Sequence, residues 1–216
     1  MRSPVLMFDF GNVLAFFDYT IIYGKLGARL GLSAEAFHEL AKSKGLKGRL
    51  SEFESGRLSP EEFSAIVQRE VGLDITFEEF AEAWQDIFEL NAPVAALAAE
   101  LKAGGYTLLL GSNTNALHAT FYRRQFRETL DQFDHFVLSH EILAMKPSRA
   151  FFEACTRAVG APADSCIFID DVEENVQGAR EAGLVGLVYT DAATLRDDLR
   201  ALGVDPTGPS FESPRT

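Results

Sequence analysis

Tyr106-Thr107-Leu108-Leu109-Leu110-Gly111-Ser112-Asn113-Thr114-Asn115 is the stretch that decides how this chain is read. Residues 106–110 form a short apolar run that follows Gly104-Gly105, and such a run between breakers reads as a buried strand. The polar run after it leads into a helix expected over 116–125. The same alternation continues on both sides. A helix over 93–103 precedes the strand. A strand over 135–138 follows, then a helix that Ser148 caps and Gly160 ends. Next come a strand over 166–169, a helix over 173–182, a strand over 184–189 and a helix over 192–202. Val5 to Phe8 adds one more short apolar run. Strand–helix alternation at this spacing predicts an α/β fold, a Rossmann-like parallel sheet with helices on both faces.

Between the first strand and this alternation lies a stretch of different character. Ser59-Pro60-Glu61-Glu62 places a Ser cap, a Pro at the first helical position and a Glu at the third, which is a capping box. Thr76-Phe77-Glu78-Glu79 repeats it, followed by apolar residues at three- and four-residue spacing: Phe80, Ala83, Trp84, Ile87 and Phe88. No strand pattern is visible, so an all-helical lobe is expected. The predicted organisation is an α/β core over 1–15 and 92–203, a helical insert over 16–91 and a loosely ordered tail over 204–216.

Composition sets the outer bounds. The 216 residues are 47% hydrophobic and 24% charged, with 20 basic against 32 acidic residues and a net charge of −12. That describes a globular chain with a sizeable core and excludes the disordered and collagen-like classes. The acidity and the absence of a basic run argue against nucleic acid as a partner. No apolar run approaches the ~20 residues of a membrane span, and the N-terminus lacks the pattern of a secretion signal. Cys155 and Cys166 sit in apolar segments, as in a reducing compartment. A cytoplasmic location is expected; the residues leave monomer or homodimer open.

The polar residues with chemical potential collect at the predicted strand ends. Asp9 follows the first strand, Ser112-Asn113 the second and Asp170-Asp171 a third, while Lys146-Pro147 lies just before a helix. In a parallel sheet the strand C-termini open on one edge, where α/β proteins bind ligands. Carboxylates from two strands suit a hard cation such as Mg²⁺, and Mn²⁺ accepts the same oxygens. A carboxylate can also attack phosphorus. Hydroxyl, amide and ammonium groups hold phosphoryl oxygens.

Phe8-Asp9-Phe10-Gly11-Asn12-Val13-Leu14, Gly111-Ser112-Asn113-Thr114-Asn115, Lys146-Pro147 and Phe168-Ile169-Asp170-Asp171-Val172-Glu173-Glu174-Asn175 resemble, in order and spacing, the four motifs of the haloacid dehalogenase (HAD) superfamily. The helical insert sits where that superfamily carries a helical cap. The subgroup it looks most like is the bacterial alpha-D-glucose-1-phosphate phosphatase type. The resemblance implies a Mg²⁺-dependent phosphatase of a small phosphorylated metabolite, such as a sugar phosphate, working through an aspartyl-phosphate. It implies Asp9 as nucleophile and metal ligand, the Gly11 carbonyl and Asp171 as further ligands, and Ser112 and Asn113 as phosphate holders. Lys146 would neutralise nucleophile and phosphate. Asp170 and Asn175 would stand behind the metal site, Asn175 where the family often has a second acid.

One position departs from the superfamily pattern. Most of its phosphatases carry a second Asp two residues after the nucleophile as general acid and base; here that residue is Gly11, as in the resembling subgroup. Asp18 and Glu54 are the substitutes the sequence offers, and the loop from Glu54 to Arg57 is taken to select the substrate. His118, one turn after the phosphate loop, is the one histidine with a candidate substrate contact. The alternatives are a metal-free 2-haloacid dehalogenase using the same Asp, or a non-catalytic protein that binds a phosphorylated ligand.

Overall fold

The computed structural model describes residues 4–205. Seven strands lie within them: β1 (Val5–Phe8), β2 (Ala15–Phe17), β3 (Phe88–Leu90), β4 (Thr107–Ser112), β5 (His135–Leu138), β6 (Cys166–Asp170) and β7 (Val185–Val188). Five of them form a parallel sheet in the order β5-β4-β1-β6-β7. Alternate side chains of the central strand serve opposite layers. Leu6 and Phe8 enter the cluster built with Val94, Leu97, Leu101, Leu195 and Leu199. Val5 and Met7 enter the cluster with Phe151, Phe152 and Phe168. Burial on both faces explains why these strands appear in the sequence as unbroken apolar runs rather than as alternation.

The helices in chain order are α1 (Tyr19–Ala28), α2 (Ala34–Ser43), α3 (Leu46–Glu54), α4 (Pro60–Val71), α5 (Phe77–Gln85), α6 (Ala92–Ala103), α7 (Ala116–Gln125), α8 (Arg127–Leu130), α9 (Ser139–Ile142), α10 (Arg149–Val159), α11 (Glu173–Glu181) and α12 (Ala192–Ala201). Helices α1 to α5 surround their own apolar cluster, which includes Ile22, Phe37, Phe53, Phe63, Phe80 and Trp84. Both capping boxes form. The Ser59 hydroxyl accepts from the Glu62 N–H while Glu62 accepts from the Ser59 N–H, and Thr76 and Glu79 do the same.

The structure corrects the sequence reading in four places. The stretch over 16–91 is not all helix: β2 and β3 pair antiparallel where the chain enters and leaves it, with Ala15 opposite Leu90 and Phe17 opposite Phe88. Three-residue strands are too short to show alternation. The apolar series after Thr76 also overruns its helix. α5 stops at Gln85, Ile87 lies in the link and Phe88 opens β3. β4 runs to Ser112 rather than stopping at Leu110, so Gly111 and Ser112 are strand residues. The tail begins ordered. Val204 is buried in the core, and the Asp205 N–H donates to the Tyr106 hydroxyl at 3.0 Å; residues 206–216 lie outside the described residues.

Buried Asn91 closes the passage between the two parts. Its side-chain amide donates to the Val13 carbonyl and the Tyr189 hydroxyl, both at 2.8 Å, and its N–H donates to the Leu14 carbonyl.

Candidate active site

The sheet register brings the predicted residues to one edge. Phe8 lies level with Leu110 on one side and Ile169 on the other, so Asp9, Gly111 and Asp170 follow side by side. Asp9 is held by its own backbone surroundings. Its N–H donates to the Ile169 carbonyl, and its Oδ1 accepts the Phe10 N–H at 2.7 Å. The chain then turns sharply back on itself, the Ala15 N–H bonding the Phe10 carbonyl and the Asn12 N–H the Ala15 carbonyl.

Lys146 is buried between two carboxylates. Its Nζ lies 2.7 Å from Asp9 Oδ1 and 2.6 Å from Asp170 Oδ2. Burying an ammonium is costly unless it is paired, and here the two carboxylates outweigh burial and hold its pKa above the ordinary value. Burial pushes the Asp9 carboxyl up to about 7, and Asp170 adds to the rise against the pull of Lys146. Among the described residues, Asp9 Oδ2 takes no hydrogen bond.

Asp170 and Asp171 have different surroundings. Asp170 is fully buried. Its oxygens accept from Lys146, from the Val172 N–H at 2.9 Å and from the Asn175 amide at 3.0 and 3.2 Å. Asp171 is half-buried and accepts one bond, from the Asn12 amide to its Oδ2 at 3.0 Å. One oxygen from each of Asp9, Asp170 and Asp171 lies within 4.8 Å of the other two. Three carboxylates face a single ammonium, so the cluster carries excess negative charge, and its donors are hard oxygens. That donor set fits one small divalent cation.

Asn113 departs from the part expected of it. Its side-chain amide donates to the Lys146 carbonyl at 3.1 Å and accepts the Lys146 N–H at 2.8 Å. The side chain therefore fixes the lysine and is not free to hold a phosphoryl group. Ser112 is buried at the end of β4 and lines the cavity with Asn113. Asn115 caps α7, accepting the His118 N–H at 3.0 Å.

The cavity above this edge has a volume of about 120 Å³. Gly11, Ser112 and Asn113 form its floor, and Phe17, Tyr19 and Glu54 reach it from the lobe and its connecting ribbon. Glu54 closes α3, and burial raises its carboxyl to about 7 against the bond from the Tyr19 hydroxyl at 3.4 Å. Asp18 does not join the cavity. It is exposed and caps α1, where the Thr20 hydroxyl and N–H hold its carboxylate below the ordinary range. An ionised cap residue has no proton to donate, so Asp18 is removed as the substitute acid. His118 lines the cavity, but both ring nitrogens are engaged. Nε2 lies 3.0 Å from the Trp84 carbonyl and Nδ1 lies 3.1 Å from the Asn115 amide. A carbonyl only accepts, so Nε2 carries the proton, and burial lowers the imidazole to about 4. His118 is a neutral tie between α5 and α7, not a substrate contact.

Sequence reasoning missed Ser139. Its hydroxyl accepts the Thr114 N–H at 2.9 Å and donates to the Glu54 carbonyl at 2.5 Å, linking the loop after β4 to the lobe. It also missed Asn12, although Asn12 stands inside the first motif. Nothing in the sequence pairs Ser139 with Glu54, which lies 85 positions away.

Residues 5–183 match the haloacid dehalogenase-like hydrolase family, and the chain belongs to it. It is 26% identical over 203 residues to a D-ribitol-5-phosphate phosphatase of Bacteroides thetaiotaomicron, covering 91% of this chain and 97% of that protein. It is 28% identical over 155 residues to a sesquiterpene phosphatase of Aspergillus oryzae, covering 70% and 77%. It shares its fold with a HAD family enzyme from Bacteroides thetaiotaomicron crystallised with magnesium and inorganic phosphate. That match has a TM-score of 0.73 and 24% identity, covering 88% of this chain and 95% of the other. The chain is thus a hydrolase by family.

Proposed function

We propose that the protein is a Mg²⁺-dependent phosphatase that cleaves a small phosphomonoester, of the sugar-phosphate kind, through a phosphorylated Asp9. The observation that carries this reading is the arrangement at the end of β1. Asp9 Oδ1 is fixed by Lys146 and the Phe10 N–H, Oδ2 is left without a hydrogen bond among the described residues, and the neighbours of Asp9 along the edge, Phe10, Gly11, Ser112 and Asn113, line the cavity. Phosphatase relatives and a magnesium–phosphate complex in the same fold support it.

Asp9, Asp171 and the Gly11 carbonyl are the groups that would hold the cation, Mg²⁺ or Mn²⁺, which would neutralise phosphoryl oxygens when bound. Asp171 is preferred to Asp170 because the latter's oxygens are committed to Lys146, Asn175 and a backbone N–H. Lys146 neutralises the charge that gathers between nucleophile and phosphate. The Ser112 hydroxyl and the backbone N–H groups after it orient the phosphoryl group. Asp9 Oδ2 attacks phosphorus, the bond to the leaving oxygen breaks, and water then displaces phosphate from Asp9. As it stands the cavity has room for about four water volumes, enough for a phosphoryl group. A larger alcohol enters by movement of the lobe, which then excludes water. Two buried thiols, both free, suit a reducing compartment, and we place the enzyme in the cytoplasm.

The test is phosphate release from a panel of sugar phosphates and other phosphomonoesters, with Mg²⁺ and after chelation. Release that needs the metal and disappears in Asp9→Asn is the expected result. Halide release from a 2-haloacid that survives chelation would replace this reading with a dehalogenase. Phosphate binding without turnover would replace it with a binding protein.

A further inference from the structure

Departure of an alkoxide from phosphorus needs a proton, and the chain provides none beside the nucleophile. Gly11 has no side chain. A Cβ there would lie 2.9 Å from Phe17 Cε1. The other groups around the cavity are also unavailable. His118 has both nitrogens committed and its imidazole is neutral. The Tyr19 hydroxyl is held well above the ordinary phenol range by burial and by the neighbouring Glu54. Lys146 is locked between Asp9 and Asp170.

We propose that the Glu54 carboxyl group, presented by the last residue of α3, is the acid–base group of this reaction. The proposal rests on the phosphatase reading. Glu54 is the one carboxyl among the described residues that line the cavity from the lobe, and its position is set by two independent contacts. Its carbonyl accepts from Ser139, whose hydroxyl also accepts the Thr114 N–H two residues beyond Ser112. Gly56, with φ +72°, then passes so close to the His140 carbonyl that a Cβ would lie 2.2 Å from that oxygen. The end of α3 is therefore seated on α9, whose Ser139 in turn holds the Thr114 backbone of the loop after β4. Burial keeps the carboxyl protonated up to about pH 7, and among the described residues no ion pair draws its proton away.

In the first step Asp9 Oδ2 forms a bond to phosphorus. The bond from phosphorus to the leaving oxygen breaks, and that oxygen takes the Glu54 proton to depart as an alcohol. In the second step the Glu54 carboxylate takes a proton from water. The water oxygen bonds to phosphorus, the Asp9–phosphorus bond breaks, and phosphate leaves with Glu54 protonated again. Atoms and charge balance without a further reactant.

The experiment compares wild type, Glu54→Gln, Glu54→Asp and Asp9→Asn, as full chains with Mg²⁺. The probe is p-nitrophenyl phosphate, whose leaving group departs without a proton. Released nitrophenol, released phosphate and the intact mass of the protein are followed together. Glu54→Gln should give one rapid turnover of nitrophenol and then stall. The protein would carry one added phosphoryl group, and steady-state turnover would be lower by roughly 10²- to 10⁴-fold. Glu54→Asp should recover part of that loss. If Glu54→Gln turns over like wild type, or loses nitrophenol formation and phosphate release in equal measure with no phosphorylated protein, Glu54 is not the acid–base group and the phosphatase reading still stands. If wild type releases no more phosphate than Asp9→Asn, the phosphatase reading fails, and this proposal with it.

Discussion

At Lys146 a single ammonium holds two buried carboxylates in place, with its own backbone gripped by Asn113. Removing one partner from a buried ion cluster leaves uncompensated charge, which costs about 3–5 kcal/mol in comparable sites. Lys146→Met should therefore abolish turnover and also lower the midpoint of urea unfolding. Asn113→Ala should keep its backbone N–H for phosphate and lose the grip on Lys146, so turnover should fall more than phosphate binding does. His118 gives a pH signature. Its folded value of about 4 lies below the ordinary 6.5, so the unfolded chain binds the proton more readily. The stability it contributes is complete above pH 6.5 and is lost as pH falls toward 4, by about 3 kcal/mol over that window. Urea unfolding at pH 7 and pH 4.5 should show that slope in wild type and a shallower one in His118→Asn. Asp9 and the Asp170-Asp171 pair could be picked out as candidates in the sequence because each lies at a strand end, and Lys146 because it lies just before a helix. Choosing Glu54 over Asp18 was not, because both are acids after the first strand. Only packing shows that one caps a helix in solvent and the other is buried over the site.

Among the elements, the strands of the sheet were read almost to the residue, since burial on both faces writes them as short apolar runs. The ribbon of β2 and β3 was not, and neither were α8 and α9, which have four residues each. So short an element carries no period, and neighbours rather than propensity fix it. The end of α3 depends on such contacts. Gly56→Ala puts a methyl group against the His140 carbonyl and a side chain at positive φ, and strain of this kind costs about 1–3 kcal/mol. The expected result is faster hydrogen exchange over residues 46–58 and weaker substrate binding, with the five strands still protected. Ser59→Ala, which removes one capping box, should cost about 1 kcal/mol in unfolding.

On the scale of the whole molecule, the chemistry and its enclosure come from separate stretches of chain. The sheet edge supplies Asp9, Asp170 and Asp171 with Lys146 among them, while the lobe supplies Tyr19 and Glu54 and meets the core through Ser139, His118 and Gly56. Asn91 is the polar pin at the passage. In Asn91→Leu the Val13 carbonyl and the Tyr189 hydroxyl lose a buried donor, at about 1–3 kcal/mol. Loss of unfolding stability together with increased protease cutting near residues 15–18 and 87–91 is the expected outcome. The segmentation of the chain was visible in the switch of pattern near residue 91. How the two parts touch was not, because those contacts join residues far apart in sequence.

Where Ala15 faces Leu90 across the ribbon, the polypeptide leaves the sheet and comes back through a single doorway. An excursion that begins and ends at one point is topologically a detachable loop. Lengthening it, shortening it or exchanging it for unrelated sequence changes no strand's neighbour and reverses no crossover. The catalytic edge can thus stay fixed while what is fitted over it is rewritten.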